Sequence, residues 1–434
     1  MNTNTGLRDI YHVRANCQKS QFFGVFSHFF KVPTIDRKAH AFKRRVDAVA
    51  LNSAAIHELE ESILKNVNKF CGLMVDTAFA SQNQWSPDRN MSELTGYLMT
   101  DIKGDITFHR SWNMLQSTKN RALLKTLSEG VEGLNMMGHM QGLLDWNIDK
   151  IFFPSSTEGT YQYKQLSEEQ STGRLKHSSE INDLFGKLMA ARDPETGKGF
   201  TEEELVAEAG LLIIAGSQTS ATAITSTIFY LLTYPVAMRK FTADVLAAFK
   251  SLNSIRAGKK LQACAYLRAC LDESMRLSPG VGGILPREVL AGGMEVDGRS
   301  FPPGTDIGVA NYAIHHNETY FPRPYAFYPE RWLLRSSDPD GIEPEQLALA
   351  RSANAPFSVG HTSCVGKNLA YQEVSITLAR LFWLYEARIE PGGTLGEDTE
   401  EAEFQTFDRS DGTVQAKEIV IWGTVVVVRY GLLL

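Results

Sequence analysis

One cysteine in this chain is placed where a thiolate could do chemistry. Cys364 lies in PFSVGHTSCVGKNLA, where Phe357, Gly360, Cys364 and Gly366 fall on F-x-x-G-x-x-x-C-x-G, and a helical pattern follows. A cysteine at a helix N-terminus meets free N–H groups and the positive end of the helix dipole, and both favour negative charge on sulfur. Glycines let backbone approach a flat ring closely. A thiolate bound to a macrocyclic iron donates electron density and favours O–O cleavage. The competing reading is a buried structural cysteine after a turn, the usual fate of a lone thiol. Cys17, Cys71, Cys264 and Cys270 add no C-x-x-C pair. Neither a zinc site nor a disulfide framework is indicated, and reduced thiols in an intracellular compartment fit better.

Three further groups of residues could serve such a centre. Glu273 and Arg276 stand at i, i+3 and so share a helix face. A second arginine, Arg331, follows in Tyr328-Pro329-Glu330-Arg331-Trp332. Taken alone, the first pair reads as a surface ion pair worth under about 1 kcal/mol. Ala215-Gly216-Ser217-Gln218-Thr219-Ser220 puts a glycine and a hydroxyl run inside an apolar helix. Such a run can loosen the helix ladder and admit water or ligand, although a helical Thr more often bonds back to its own turn. Gln218 can hold a water but cannot release a proton near neutral pH. His40 and Arg44, at i, i+4, and Arg287 farther on are cations suited to an anionic cofactor edge, or simply to a solvated face.

The elements that must position these residues are mostly helical. A hydrophobic share of 43% against 22% charged residues gives a real core, and a net charge of −6 argues against nucleic acid as a partner. Apolar spacing predicts helices over residues 35–50 and 56–75. The stretch from Ser155 to Ser179 is polar and reads as surface. Thr201 and Glu204 form a capping box that opens a helix of roughly 33 residues, about 50 Å long, stopped by Pro235. It is apolar enough to suggest a membrane span. Its polar middle, AGSQTSATAITST, favours the core of a large soluble domain instead. A further helix is expected over roughly 261–277, short strands and turns over 282–309, a last helix from near Cys364 to about Tyr385, and a strand in IVIWGTVVVVRYGLLL.

In this order the motifs resemble those of the cytochrome P450 family, in the style of fungal enzymes of secondary metabolism. The resemblance runs from Gly6 to Asp408 and implies one domain over residues 1–434. That domain would be mainly α with small β-sheets (α+β), with haem b between the long central helix and the helix after the cysteine loop. It implies Cys364 as the axial iron ligand, with Phe357 and Gly366 shaping the loop. It assigns Glu273, Arg276 and Arg331 to a structural charge triad. His40, Arg44, Arg287 and His361 are assigned to the haem propionates, and Thr219 with Gln218 to oxygen and proton handling. Two departures stand out: Thr362 replaces the usual Arg two residues before the cysteine, and Gln218 replaces the usual acid. Lys38, Lys43, Arg45 and Lys367 are expected to form a basic patch for a reductase. The Phe22–Phe30 loop, Ala215, Gly216 and Gly282–Leu285 are expected to line an apolar pocket. Family members of this kind start with a membrane anchor and early strands that this sequence does not contain, so an N-terminally truncated chain is expected, associated with the endoplasmic reticulum membrane or cytoplasmic.

The function so implied is a monomeric monooxygenase acting on a hydrophobic small molecule, a secondary metabolite or mycotoxin precursor. It would use O2 and electrons from NADPH through NADPH-cytochrome P450 reductase, since no nucleotide-binding glycine motif or flavin domain is visible. Gln218 keeps open a haem-thiolate isomerase, dehydratase or peroxygenase. An inactive truncated chain is the third reading.

Overall fold

The computed structural model describes residues 1–26, 35–74, 85–140, 142, 146, 148–176, 182–389 and 425–430. Eight helices frame its centre: α1 (Asn4–Tyr11), α2 (Arg37–Ala50), α3 (Met91–Phe108), α4 (Arg121–His139), α5 (Pro154–Leu175), α6 (Glu202–Thr233), α7 (Ala265–Leu277) and α8 (Lys367–Leu384). The strands are β1 (Cys17–Lys19), β2 (Arg89–Asn90), β3 (Arg287–Val289), β4 (Met294–Val296), β5 (Arg299–Phe301), β6 (Asp306–Ile307), β7 (Tyr385–Ile389) and β8 (Val425–Tyr430). They make two three-stranded sheets, β1-β3-β6 and β2-β8-β7, and the β4-β5 hairpin. The expected mainly helical fold with small sheets is the one observed.

The central helix α6 begins at the expected capping box. Thr201 accepts from the Glu204 N–H, and the Glu204 side chain accepts from the Thr201 N–H. α6 packs against α3, α5, α7 and α8. By length and composition it could cross a membrane, but its C-terminal part is closed in on every side: all residues from Ala223 to Leu231 are buried in the protein. It is a core helix, as its polar middle suggested.

Several expectations are corrected. The helix expected over 56–75 is two, Ser53–Glu58 and Glu60–Gly72. The last helix runs from Lys367 to Leu384, as expected, with Cys364 in the loop ahead of it. The polar stretch read as surface lies, from Ser155 to Leu175, in the helix α5. Its small residues Thr157, Thr160, Ser167 and Ser171 are buried, and a Cβ on Gly210 of α6 would lie 3.4 Å from Ser167. Short hydroxyl side chains permit that close approach, and no apolar stripe announces it. Tyr163 also donates to the Gly210 carbonyl at 2.6 Å.

Candidate haem-thiolate site

The cysteine loop is held by backbone. The Cys364 N–H donates to the Phe357 carbonyl at 2.8 Å. Ser358 and Gly360 both take left-handed backbone, at φ 56° and 71°. A Cβ on Gly360 would collide with the Tyr11 carbonyl oxygen, so only glycine lets α1 close on the loop. The Phe357 ring packs on Tyr371 at 5.1 Å. Among the five cysteines Cys364 alone is exposed; the other four are buried. The residue is exposed, yet its thiol is ringed by protein. The surrounding mass pushes the thiol up, opposed by the Gly366 N–H, Arg44, Lys103 and the Lys367 N–H.

α6 is not buried along its whole length. Leu211, Ala215, Thr219 and Thr222 recur at helical spacing and are exposed or half-buried, while Ile213, Ser217, Ser220, Ala221 and Ala223 are buried. Ala215, in the middle of a core helix, is exposed. The Thr219 hydroxyl donates to the Ala215 carbonyl at 2.7 Å. The Gln218 amide turns away and donates to Ser128 of α4 at 2.9 Å. A Cβ on Gly280 would stand 3.1 Å from that of Thr219. The loop after α7 thus lies against this face, and it carries the exposed Val281 and Ile284.

Cations gather beside the loop. Arg44 donates to the Ser363 carbonyl. Arg287 donates to the Thr362 hydroxyl at 3.0 Å and to the carbonyls of Leu285 and Pro286, and lies over the Tyr11 ring. Thr362, where an arginine was expected, therefore anchors an arginine from β3. Burial pushes His40 down to about 3, and Lys19, His361, Arg44 and Arg287 add to the fall. His361 is lowered by burial and by Arg287. Among the described residues none of His40, Arg44, Arg287 and His361 forms an ion pair with a carboxylate.

The triad residues are brought together. Glu273 and Arg276 are fully buried and Arg331 nearly so. The Glu273 carboxylate accepts from Arg276 at 2.9 Å through both Nε and Nη2, and from Arg331 Nε at 3.0 Å. It also accepts from the Trp332 indole at 2.9 Å and the Tyr328 N–H at 3.0 Å, two partners not anticipated from the sequence. Burial alone would raise its pKa, but Arg276 and Arg331 reverse this and hold it at about 2.

The expected basic patch is not assembled as drawn. Lys43 is buried and paired with Glu208 at 2.8 Å, and Arg45 is held by Asp193 at 2.5 Å; Lys38 and Lys367 are exposed. In the expected pocket, Phe22 packs against Gly138 and His139 of α4, while residues 27–30 of that loop lie outside the described residues.

These residues fit a haem. A flat ring needs an open strip, which α6 leaves at Ala215. It needs an accessible cysteine, and among the five Cys364 alone is exposed. Its two carboxylates need cations not already neutralised, and the group around Arg44 and Arg287 supplies them.

The comparisons agree. The family model described as Cytochrome P450 matches residues 32–406. The chain is 35% identical over 401 residues to Cytochrome P450 monooxygenase AKT7 of Alternaria alternata, covering 91% of this chain and 76% of that protein. It is 33% identical over 405 residues to a cytochrome P450 monooxygenase of Gibberella zeae, covering 92% and 91%. It is 32% identical over 422 residues to Cytochrome P450 monooxygenase poxM of Penicillium oxalicum, covering 96% and 80%. Among solved structures, the heme domain of cytochrome P450DA shares the fold with a TM-score of 0.76 at 15% identity, over 99% of this chain and 87% of that one. The chain belongs to the cytochrome P450 family, whose members are oxygen-incorporating haem oxidoreductases.

Proposed function

We propose that the chain is a haem-dependent monooxygenase of fungal secondary metabolism, with Cys364 as the iron ligand. The observation that carries this reading is the accessibility of Cys364 alone among the cysteines, beside cations that have no carboxylate partner among the described residues. Haem, when bound, supplies the activation of dioxygen by which one oxygen atom enters an apolar substrate and the other leaves as water. The chain's own residues would do the rest. Cys364 holds the iron. Phe357 and Gly366 shape the loop, and Arg44, Arg287, His40 and His361 hold the propionates. Thr219 stands on the open strip and can pass a proton from its hydroxyl once it leaves the Ala215 carbonyl. Ala215, Val281 and Ile284 offer apolar surface to a hydrophobic small molecule. Glu273, Arg276 and Arg331 keep the loop's support rigid. Electrons would come from NADPH through a cytochrome P450 reductase approaching the exposed Lys38 and Lys367, at the endoplasmic reticulum membrane.

A second reading rests on Gln218, whose amide is committed to Ser128 and carries no acid to the strip. It makes the chain a haem-thiolate isomerase, dehydratase or peroxygenase. Incubation of the haem-loaded chain with labelled O2 and apolar substrates decides between them. Label in the product only when reductase and NADPH are present supports the monooxygenase; turnover without them supports the second reading.

A further inference from the structure

The charge triad reaches the cysteine loop through a histidine that has no part in the chemistry above. His315 ends the short helix Asn311–His315 and is fully buried, at 0% exposure. On the triad side, Arg276 Nη1 donates to the His315 carbonyl at 2.8 Å. On the loop side, His315 Nε2 accepts from the Ala355 N–H at 2.9 Å. Ala355, also buried, stands at the entry of the cysteine loop. Its carbonyl accepts from the Ser358 N–H at 2.9 Å, and the Phe357 carbonyl accepts from the Cys364 N–H at 2.8 Å. Hydrogen bonds and the short run Ala355-Pro356-Phe357 thus connect the Glu273–Arg276 pair to the backbone of Cys364.

The contacts also fix the state of the ring. An Nε2 that accepts carries no proton, so the neutral imidazole holds its proton on Nδ1. Burial and the Arg276 charge favour that neutral form and push His315 down to about 3. The Nδ1–H then has no hydrogen-bond partner among the described residues. A buried donor left unpaired is unfavourable, and an apolar side chain of similar size would avoid it. What such a side chain could not do is accept from the buried Ala355 N–H.

We propose that His315 is a positioning residue for Cys364: a neutral imidazole set between Arg276 and Ala355, whose Nε2 fixes the entry of the cysteine loop so that Cys364 meets the iron as a thiolate. His315 makes and breaks no covalent bond and keeps its one ring proton. The inference rests on the haem assignment to Cys364.

The test is the reduced, carbon monoxide-bound spectrum of the haem-loaded full chain, read together with haem content and thermal midpoint. His315→Leu removes the acceptor and keeps the site apolar. It should take up as much haem as the unaltered chain, because Arg44 and Arg287 remain, yet lose most of the thiolate Soret band to the shorter-wavelength band of a protonated or displaced thiol. His315→Gln sets an amide oxygen near the place of Nε2 and should restore the thiolate band. A role in stability alone would lower the thermal midpoint and leave the ratio of the two bands unchanged in the folded material. Loss in the Leu variant with return in the Gln variant therefore supports the proposal. A folded Leu variant with the full thiolate band, or a Gln variant that loses it as far as the Leu variant does, overturns it. If His315→Leu does not fold, His315→Asn, whose oxygen falls short of Ala355, takes its place under the same criteria; if neither folds, the proposal is overturned, since His315 then serves folding as a whole. An unaltered chain that takes up no haem, or shows no thiolate band, would overturn the haem assignment, and this inference with it.

Discussion

Glu273 shows how much one side chain can carry. Its carboxylate is taken fully out of water and accepts from two guanidiniums, an indole and a backbone N–H. Removing one partner of such a group strands the others, so Glu273→Gln should destabilise the chain by about 3–5 kcal/mol in urea unfolding. The pH dependence has a definite sign. Its folded-state value, about 2, lies below the ordinary 4.5. The stabilisation is therefore present above pH 4.5 and is lost as pH falls from 4.5 through about 2, and Glu273→Gln should abolish that acid-dependent loss. His40 works in its own window. Its value falls from 6.5 to about 3 because burial and neighbouring cations disfavour the imidazolium. The folded chain then resists protonation that the unfolded chain accepts, and stability declines as pH drops from 6.5 toward 3. His40→Gln should flatten this part of the unfolding profile. Two haem carboxylates beside His40 would oppose the same field and bring its value back toward 6.5, so haem loading should make the decline smaller.

At the scale of elements, the close contacts are made by backbone and small residues. Gly216 lets Lys103 reach Glu373 under α6. Gly216→Ala should overpack this crossing and lower stability by about 1–3 kcal/mol, read as a fall in thermal midpoint. What was legible here followed from local chemistry. The capping box at Thr201 and the i, i+3 spacing of Glu273 and Arg276 fixed those elements before any fold was known. What was not legible depended on distance along the chain. Lys103 and Glu373 are 270 residues apart, and Gln218 and Ser128 are 90 apart. No local pattern marks either pair. Helix α5 was missed because many of its buried residues are serines and threonines, and the burial of Ser167 follows from the neighbouring Gly210 and not from its own polarity. Lys43 was misplaced on the surface for the converse reason: a lysine in a basic run turns inward when a carboxylate, Glu208, waits on α6.

For the molecule as a whole, the cysteine loop is enclosed by chain segments far apart in sequence. α1 closes the loop through Gly360, β3 delivers Arg287, and α2 delivers His40 and Arg44. The motifs disclosed the family because each carries its own chemistry. The substrate stays outside their reach, since apolar lining residues resemble ordinary core residues in any sequence. The central claim is that Cys364 binds haem iron as a thiolate. The most direct measurement is the reduced, carbon monoxide-bound difference spectrum of the purified chain loaded with haem. The account predicts the red-shifted Soret band of a thiolate-ligated haem, lost in Cys364→Ser while the other four cysteines remain. A chain that takes up no haem, or a Cys364→Ser variant that keeps the thiolate band, would contradict it.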